Sequence, residues 1–482
     1  MPDNVGPGSI RGRLISGFVA LSARQVVTNA IALTKLALIV TMLPVAEYGV
    51  YVIANGLVNY LIALSGLGFG AYLIRTRETP SRELVGTARA LALIVGCGGL
   101  LVAFLVAPVL AAWYDQPGLT ALFVVQAFAL PIFLLRSIPA GLLDRKLRYS
   151  RSASIELVAE LAGFVATIAI IWVTRSPWGL VWGNLLQFTL SLVLLSRTTG
   201  DWHVISWNGA IARRLLRFGV GVGAAGWVSQ LRRLVNPVLV AKILGVEATA
   251  VVAVAVRSLE LVGFIQGVCW RLAVGGFAAL NTSDKPLGRA LARGQAAQML
   301  AVGGVMAVLI AVAPEAVALL PGAHWQAMLP LLPLLCASAV SGTLFNLYFA
   351  VLQVRADIRP MILANGVFVL AFFSVAALLL MTWSDIRAYG VAEVIATFSF
   401  AAFWPMIHRR IPEARLLPAL MNLIMMISVL VTLHMLWEQS LSLRIVVALV
   451  LIAATSVALR ENRDVWRAML EAAGRDRATR RT

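Results

Sequence analysis

Apolar runs of about 20 residues follow one another from residue 16 to residue 459, each long enough to cross roughly 30 Å of hydrocarbon as a helix. The polar gaps between them alternate in charge. One set holds Arg75, Arg77 and Arg82; Arg145, Lys146, Arg148 and Arg151; Arg197, Arg213, Arg214 and Arg217; Lys285, Arg289 and Arg293; Arg355 and Arg359; Arg409, Arg410 and Arg415. The other set is short and poor in cations, with Glu47, Asp115, Arg175, Glu247, His324, Asp385, Arg387 and Glu438. Cations collect on the cytoplasmic side of a helical membrane protein, so the pattern predicts repeated crossing with both termini in the cytoplasm. The expected class is an all-α polytopic membrane protein of about fourteen transmembrane helices.

The predicted spans are approximately 16–42, 48–73, 84–110, 118–141, 152–173, 177–196, 215–243, 249–278, 288–320, 326–352, 360–382, 388–407, 416–436 and 441–459. YDQPG at 114–118, RSP at 175–177, PGAHW at 321–325 and RIP at 410–412 punctuate them. The longest central gap, Arg197 to Arg217, divides the chain into six-helix lobes at 1–200 and 201–410, a terminal helix pair at 411–459 and a basic cytoplasmic tail at 460–482. VAEYGVYVIA at 45–54 and VEATAVVAVA at 246–255 hold the same place in each half, which points to an internal repeat of the kind that builds transporters. The tail reads as a solvated or headgroup-binding helix.

Composition agrees. The 482 residues are 60% hydrophobic and only 13% charged, against about 25% charged in soluble domains. The net charge of +18 sits in loops beside spans, so topology explains it better than nucleic-acid binding, and no nucleic-acid partner is expected. Cys97, Cys269 and Cys336 lie in apolar runs and read as small hydrophobes. There is no metal-ligand spacing, no phosphate-binding GxxxxGK[ST], no HExxH and no Gly-x-Ser-x-Gly turn. No cofactor and no catalytic group is expected.

Ionisable side chains within spans carry the functional expectations, because they are costly in a bilayer and face bundle interiors or water. In the first span Arg24, Thr28 and Lys35 share a face, either as a cationic stripe for an anionic ligand or as cations snorkelling to their nearer interfaces. The seventh span places Arg232, Arg233 and Asn236 near mid-membrane. Adjacent arginines point about 100° apart, so one is expected to line a cavity while the other packs between helices. In the eighth, Arg257, Glu260 and Arg271 recur at helical spacing, and Arg257 with Glu260 reads equally as an ion pair or as a substrate or gating group. Glu156 and Glu160 stand one turn apart in the fifth span, fit for ion coupling or for pairing with Arg148 or Arg151 at the rim; Glu260 is a further ion-coupling candidate. Glu393 reads as structural. Tyr48, Tyr51, Asn55 and Asn59 form a polar–aromatic stripe suited to sugar hydroxyls and ring faces, and equally to helix–helix hydrogen bonds. Asn184, Gln187 and Ser191, and Asn346 with Gln353, repeat that theme.

The stretch LPVAEYGVYVIANGLVNYLIALSGLGFGAYLIRTRE at 43–78 resembles the opening of the polysaccharide transporters, the Wzx-type flippases of the multidrug/oligosaccharidyl-lipid/polysaccharide (MOP) superfamily. Glu47, Tyr48, Gly49, Tyr51, Gly66, Gly68, Gly70 and Arg75 fit that family's pattern. The second-half counterpart at 217–257 fits in outline but has Thr249–Ala250 where Tyr–Gly is common. The resemblance implies two six-helix lobes around a central cavity, with the last two helices outside. It implies translocation of undecaprenyl-diphosphate-linked oligosaccharide across the bacterial inner membrane by alternating access. A polysaccharide polymerase and a chain-length regulator would be candidate partners beside the membrane lipids. The family pattern transfers no individual ligands. The expected substrate cations are therefore Arg24, Lys35, Arg232, Arg233, Arg257 and Arg271, with Tyr51, Asn55 and Asn59 as sugar contacts. The rival expectations are a drug-cation exporter, which favours cavity carboxylates, a peptidoglycan-precursor flippase, and a polymerase or ligase, which needs a larger outer loop than any present here.

Overall fold

The computed structural model describes residues 27–76, 78–200, 204–280, 284–355, 359–412 and 414–467. Among these, regular structure is helical throughout. Eleven helices are long and apolar enough to span a bilayer, or twelve if the bent pair Val246–Glu260 and Phe264–Phe277 forms one span. The sequence count of about fourteen differs at two places. The described part of the first helix, α1 (Val27–Met42), is short. The seventh expected span is interrupted: α9 (Gly209–Leu231) passes into a 3₁₀ turn at Arg232–Leu234 and a π segment at Asn236–Val240 before α10 (Ala241–Ile243). Pro237 within the π segment has no N–H to donate, which explains loss of regular α geometry there.

Contacts divide the chain into two compact units, Met1–Ala250 and Val251–Thr482. The first contains α2 (Val45–Ser65), α3 (Phe69–Arg75), α4 (Arg82–Tyr114), α5 (Gly118–Ala127), α6 (Ala129–Arg145), α7 (Tyr149–Thr174), α8 (Trp178–Thr199) and α9. α9 packs on α2, α3 and α4, so the helix after the central charged gap groups with those before it. Leu67, Phe69, Leu73, Leu91, Leu134, Ile138 and Leu215 form a buried cluster where α3, α4, α6 and α9 meet.

Caps and breaks follow sequence chemistry. Ser81 Oγ accepts from Leu84 N at 3.1 Å at the start of α4, and Asn208 Oδ1 accepts from Ala210 N at 2.9 Å at the start of α9. Gly68 separates α2 from α3 at φ +60°, where glycine carries no Cβ penalty. Arg145, at the end of α6, donates to the carbonyls of Leu73 and Glu78, each at 2.8 Å, and to that of Thr76. A cation that reads as a topology signal thus also caps the last carbonyls of α3.

The second unit holds α12 (Phe264–Leu280), α13 (Asp284–Ala318), α14 (Leu332–Val354), α15 (Arg359–Trp383), α16 (Arg387–Phe398), α17 (Trp404–Arg410), α18 (Leu416–Met435) and α19 (Leu441–Ala458). α11 (Val246–Val262) starts five residues before the second unit's first residue. Aromatic rings fill its interior. Phe368 stacks on Phe400 at 5.3 Å, Phe372 meets Tyr389 edge-on at 5.3 Å, and Phe345 and Phe349 close on Phe400 at 6.3 and 5.7 Å.

The terminal pair α18 and α19 packs on α13 near Pro314. Pro314 cannot donate to the carbonyl of Ile310, and Trp437 Nε1 donates to that oxygen instead, at 3.0 Å. Arg444, 1% exposed, donates to Ala311 O at 2.8 Å and pairs with Glu315. Apolar side chains such as Phe104, Val109 and Val173 on the first unit and Leu370, Leu378 and Met381 on the second are exposed, as lipid-facing positions require.

Candidate functional site: a polar tract in the first unit

α8 organises the polar interior of the first unit. Asn184, Gln187 and Ser191 recur at spacings of three and four, which places them on one face of the helix. Asn184 is bonded on both sides. Its Oδ1 accepts from Lys35 Nζ at 3.3 Å, and its Nδ2 donates to Tyr51 OH at 2.9 Å. Tyr51 is buried and stacks on Tyr48 with centroids 6.1 Å apart. One turn along α2, Asn55 Oδ1 accepts from Gln126 Nε2 at 2.7 Å. On α1, Thr28 lies two turns from Lys35 on the same face, and its hydroxyl donates to Glu160 Oε2 at 2.8 Å. α1, α2, α5, α7 and α8 therefore meet through side-chain hydrogen bonds inside an otherwise apolar bundle.

A second cation joins this face deeper in α8. Arg136 of α6 donates to Ser191 Oγ at 3.4 Å and lies over the rings of Phe133 and Phe188, 5.3 and 5.8 Å from their centroids. Asn184 and Ser191 are about 10 Å apart along α8. The ammonium of Lys35 and the guanidinium of Arg136 thus address two levels of one polar helix face. Cations, amides and a phenol at two levels in a low-dielectric interior suit an elongated ligand with an anionic group and hydroxyls.

The motif glycines belong to the same region. A Cβ on Gly49 would stand 2.0 Å from the carbonyl oxygen of Val246, so the start of α2 can approach that backbone only without a side chain. A Cβ on Gly70 would stand 2.5 Å from Ser137 O, and α3 crosses α6 there at Gly141. The tyrosine–glycine and glycine-rich patterns are close-contact requirements that hold α2 and α3 in register for Tyr51 and Asn55.

Lys35, Tyr51, Asn55 and Glu160 come together as parts of this network. Asn59 is exposed on α2, and Glu156 is half-buried on α7. Arg24 lies outside the described residues. Arg232 and Arg233 have exposed side chains in the 3₁₀ turn. Next to them Asn236 is buried and donates to Thr249 O at 3.2 Å, while Tyr114 OH donates to Pro237 O at 2.8 Å. These bonds hold the irregular segment in place. Arg257 and Glu260 form an ion pair at 3.0 Å in the second unit, the neutralising alternative read from their spacing. Arg271 lies beyond the 43° bend between α11 and α12, and its exposed guanidinium donates to Gly267 O at 3.4 Å. No group of three or more His, Cys, Asp or Glu side chains gathers as a metal site among the described residues.

Sequence reasoning missed Arg136, Gln126 and the buried pair of Arg444 with Glu315. For Arg136 the signal was present: a single charge in the apolar run LPIFLLRSIP at 130–139, more than two turns from the cation cluster that begins at Arg145.

Comparison with known proteins places this geometry. A family described as polysaccharide biosynthesis protein matches residues 38–330, more than half of the chain. Among curated proteins none matches this sequence. Among solved structures the fold is similar to a lipid II flippase, MurJ, in an inward closed conformation, with a TM-score of 0.70 at 10% identity over 92% of this chain and 98% of that one. It is also similar to an inward-facing multidrug resistance MATE transporter of the MOP superfamily, with a TM-score of 0.65 at 15% identity over 82% and 98%. A third is a MOP superfamily transporter from Pyrococcus furiosus, with a TM-score of 0.58 at 14% identity over 82% and 95%.

Proposed function

We propose that this chain, which belongs to the polysaccharide biosynthesis protein family and has the helical fold of MOP-superfamily transporters, moves an undecaprenyl-diphosphate-linked oligosaccharide across the bacterial inner membrane by alternating access. The observation that carries the reading is the polar tract of the first unit, with Lys35 and Arg136 on two levels of one α8 face. A diphosphate headgroup needs cations to replace its hydration inside a bilayer. The amides of Asn184, Gln126 and Asn55 and the Tyr51 phenol supply hydrogen-bond partners suited to sugar hydroxyls.

Arg24, Arg232 and Arg233 complete the proposed cation set of the first unit. Arg257 and Arg271 enter as cations of the second. Glu160, held by Thr28, is the candidate for ion coupling, with Glu156 and Glu260 as its alternates. A lipid-linked peptidoglycan precursor carries the same diphosphate, so this tract alone suits both substrates; the family match favours the polysaccharide.

Cells lacking the protein are expected to accumulate lipid-linked oligosaccharide on the cytoplasmic leaflet. Lys35→Met and the double change Arg232→Gln with Arg233→Gln are expected to restore export poorly while reaching the membrane in normal amounts. Normal export by both variants would remove the cationic tract from the mechanism. Rescue of a strain depleted of its lipid II flippase would reassign the substrate.

A further inference from the structure

The chain does not leave the second unit where α19 ends. At Leu459 the backbone turns extended, with φ −98° and ψ 153°, and residues 460–467 form another helix. One face of this helix is locked to the protein. Asn462 is fully buried; its Nδ2 donates to Asn422 Oδ1 and to Thr455 O, both at 2.7 Å, and its Oδ1 accepts from Asn422 Nδ2 at 3.0 Å. Val465, three residues on, is buried, and Asp464 pairs with Arg293 of α13 at 3.3 Å.

The other face has a different character. Arg460, Arg463 and Arg467 are exposed at spacings of three and four, and Trp466 beside them is 46% exposed. α19 has 18 residues, about 27 Å of helix, close to the thickness of the hydrocarbon core. Its exposed Val446, Leu449, Val450 and Val457 suit lipid tails. The segment that follows therefore lies at headgroup depth, on the side that the alternation of charge assigns to the cytoplasm. An indole flanked by guanidiniums at that depth matches anionic phospholipid: the ring suits the interface, and the cations suit phosphate-bearing heads. The buried amide pair fixes the rotation of the helix, so the basic face has a set direction.

We infer that residues 460–467 are a docked interfacial helix that binds anionic phospholipid headgroups through Arg460, Arg463 and Arg467, with Trp466 seated among them. The inference is independent of the transported substrate. It ties residues 460–467 to the headgroup layer on one side while Asn462 and Asp464 hold them to α18 and α13 on the other.

The test uses the full-length protein in nanodiscs of phosphatidylcholine alone, or of phosphatidylcholine and phosphatidylglycerol in equal parts. The readout is amide hydrogen exchange across 460–467. Exchange is expected to slow by about tenfold in the anionic membrane, and high salt should abolish the difference. The combined variant Arg460→Gln, Arg463→Gln, Arg467→Gln is expected to exchange alike in both membranes. Asn462→Ala is expected to exchange faster in both while keeping a phosphatidylglycerol increment, which separates docking to protein from docking to lipid. Equal exchange of the native protein in both membranes, or an increment that survives in the triple variant, would overturn the inference. So would inorganic phosphate reproducing the increment in phosphatidylcholine, since a free anion would then suffice.

Discussion

α6 in the first unit and α14 in the second end alike and differ in their middle. Their C-caps, Lys146 and Arg355, have the same backbone angles, φ −79° and ψ 6°. Arg145 and Arg355 each turn to donate to backbone carbonyls, those of α3 and its following turn in one case and that of Arg410 in the other. Ten residues before each cap the likeness ends: Arg136 stands in α6 and Phe345 in α14. Arg136 bonds to Ser191 on the polar face of α8, whereas Phe345 packs among Tyr348 and Phe400. One helical plan thus supports two interiors. Hydrogen-bonded polar side chains in a low-dielectric bundle are costly to maintain, so each calls for a structural or a ligand-handling reason. Stacked aromatics make a rigid body. On the proposed reading, α6 and α8 handle the ligand beside the second-unit cations Arg257 and Arg271, and the aromatic cluster around Phe400 supplies mechanical stiffness.

The sharpest way to break that assignment is to weaken the second unit and look for a specific loss of transport. Arg444 is the side chain to remove. It is almost fully buried between α19 and α13, and Arg444→Ala leaves the Glu315 carboxylate without its partner beside Pro314. Glu315 is 42% exposed, so water recovers part of the loss, and the expected cost is about 2–3 kcal/mol, at the low end for a broken buried pair. Thermal unfolding in detergent should register it as a lower Tm. Export per folded molecule should stay near normal. Loss of export with Tm unchanged would place transport chemistry at the pair of Arg444 with Glu315.

The converse experiment carries second-unit chemistry into the first. Arg136→Phe is expected to lower export by tenfold or more, the scale of one lost charge-assisted contact of about 1.5–3 kcal/mol. Tm should change little, because the new ring joins Phe133 and Phe188. Arg136→Lys should lie between, keeping the charge and losing the planar guanidinium that spans two rings and a hydroxyl. An export assay in cells, normalised to membrane content, checks both variants. Full activity of Arg136→Phe would make Arg136 a packing residue.

These positions also show what one sequence can and cannot disclose. The alternation of charge rests on topology alone and is legible without coordinates. So is the stripe of Tyr51 and Asn55, because helical spacing fixes which side chains share a face. The partner across the interface is another matter. Asn184 and Gln126 had no local mark distinguishing a structural amide from a site amide, and only packing joins them to Lys35, Tyr51 and Asn55. Trp437 at the carbonyl freed by Pro314 is a bond across more than a hundred residues. The 3₁₀ and π segments after Arg232 were hidden for another reason: apolar periodicity continues through them while the hydrogen-bond pattern changes.

The smallest expected effect lies at a pair of interhelical turns that share a backbone and differ in charge. Arg175, after α7, and Ser384, after α15, both sit in the left-handed region, at φ 52° and 50°. The next residue is Ser176 in one turn and Asp385 in the other. Asp385 accepts from Arg387 Nε at 2.9 Å, from its Nη2 at 2.7 Å and from its backbone N at 2.7 Å, which caps the start of α16. Hydrogen bonding by Arg387 holds this carboxyl below its ordinary value of 3.8, ahead of the smaller effect of their opposite charges. A depressed folded value means that the stabilisation is complete above the ordinary carboxylate range and is lost as pH falls through the folded value. Asp385→Ser, which gives this turn the chemistry of its first-unit counterpart, should therefore lower Tm slightly at neutral pH and flatten its decline on acidification. The two proteins should converge in Tm toward strongly acidic pH, because the native carboxyl is then protonated and the variant has none. A difference that stayed constant through the acid range would show that Asp385 acts through its neutral hydrogen bonds to the helix start, leaving the two turns electrostatically equivalent.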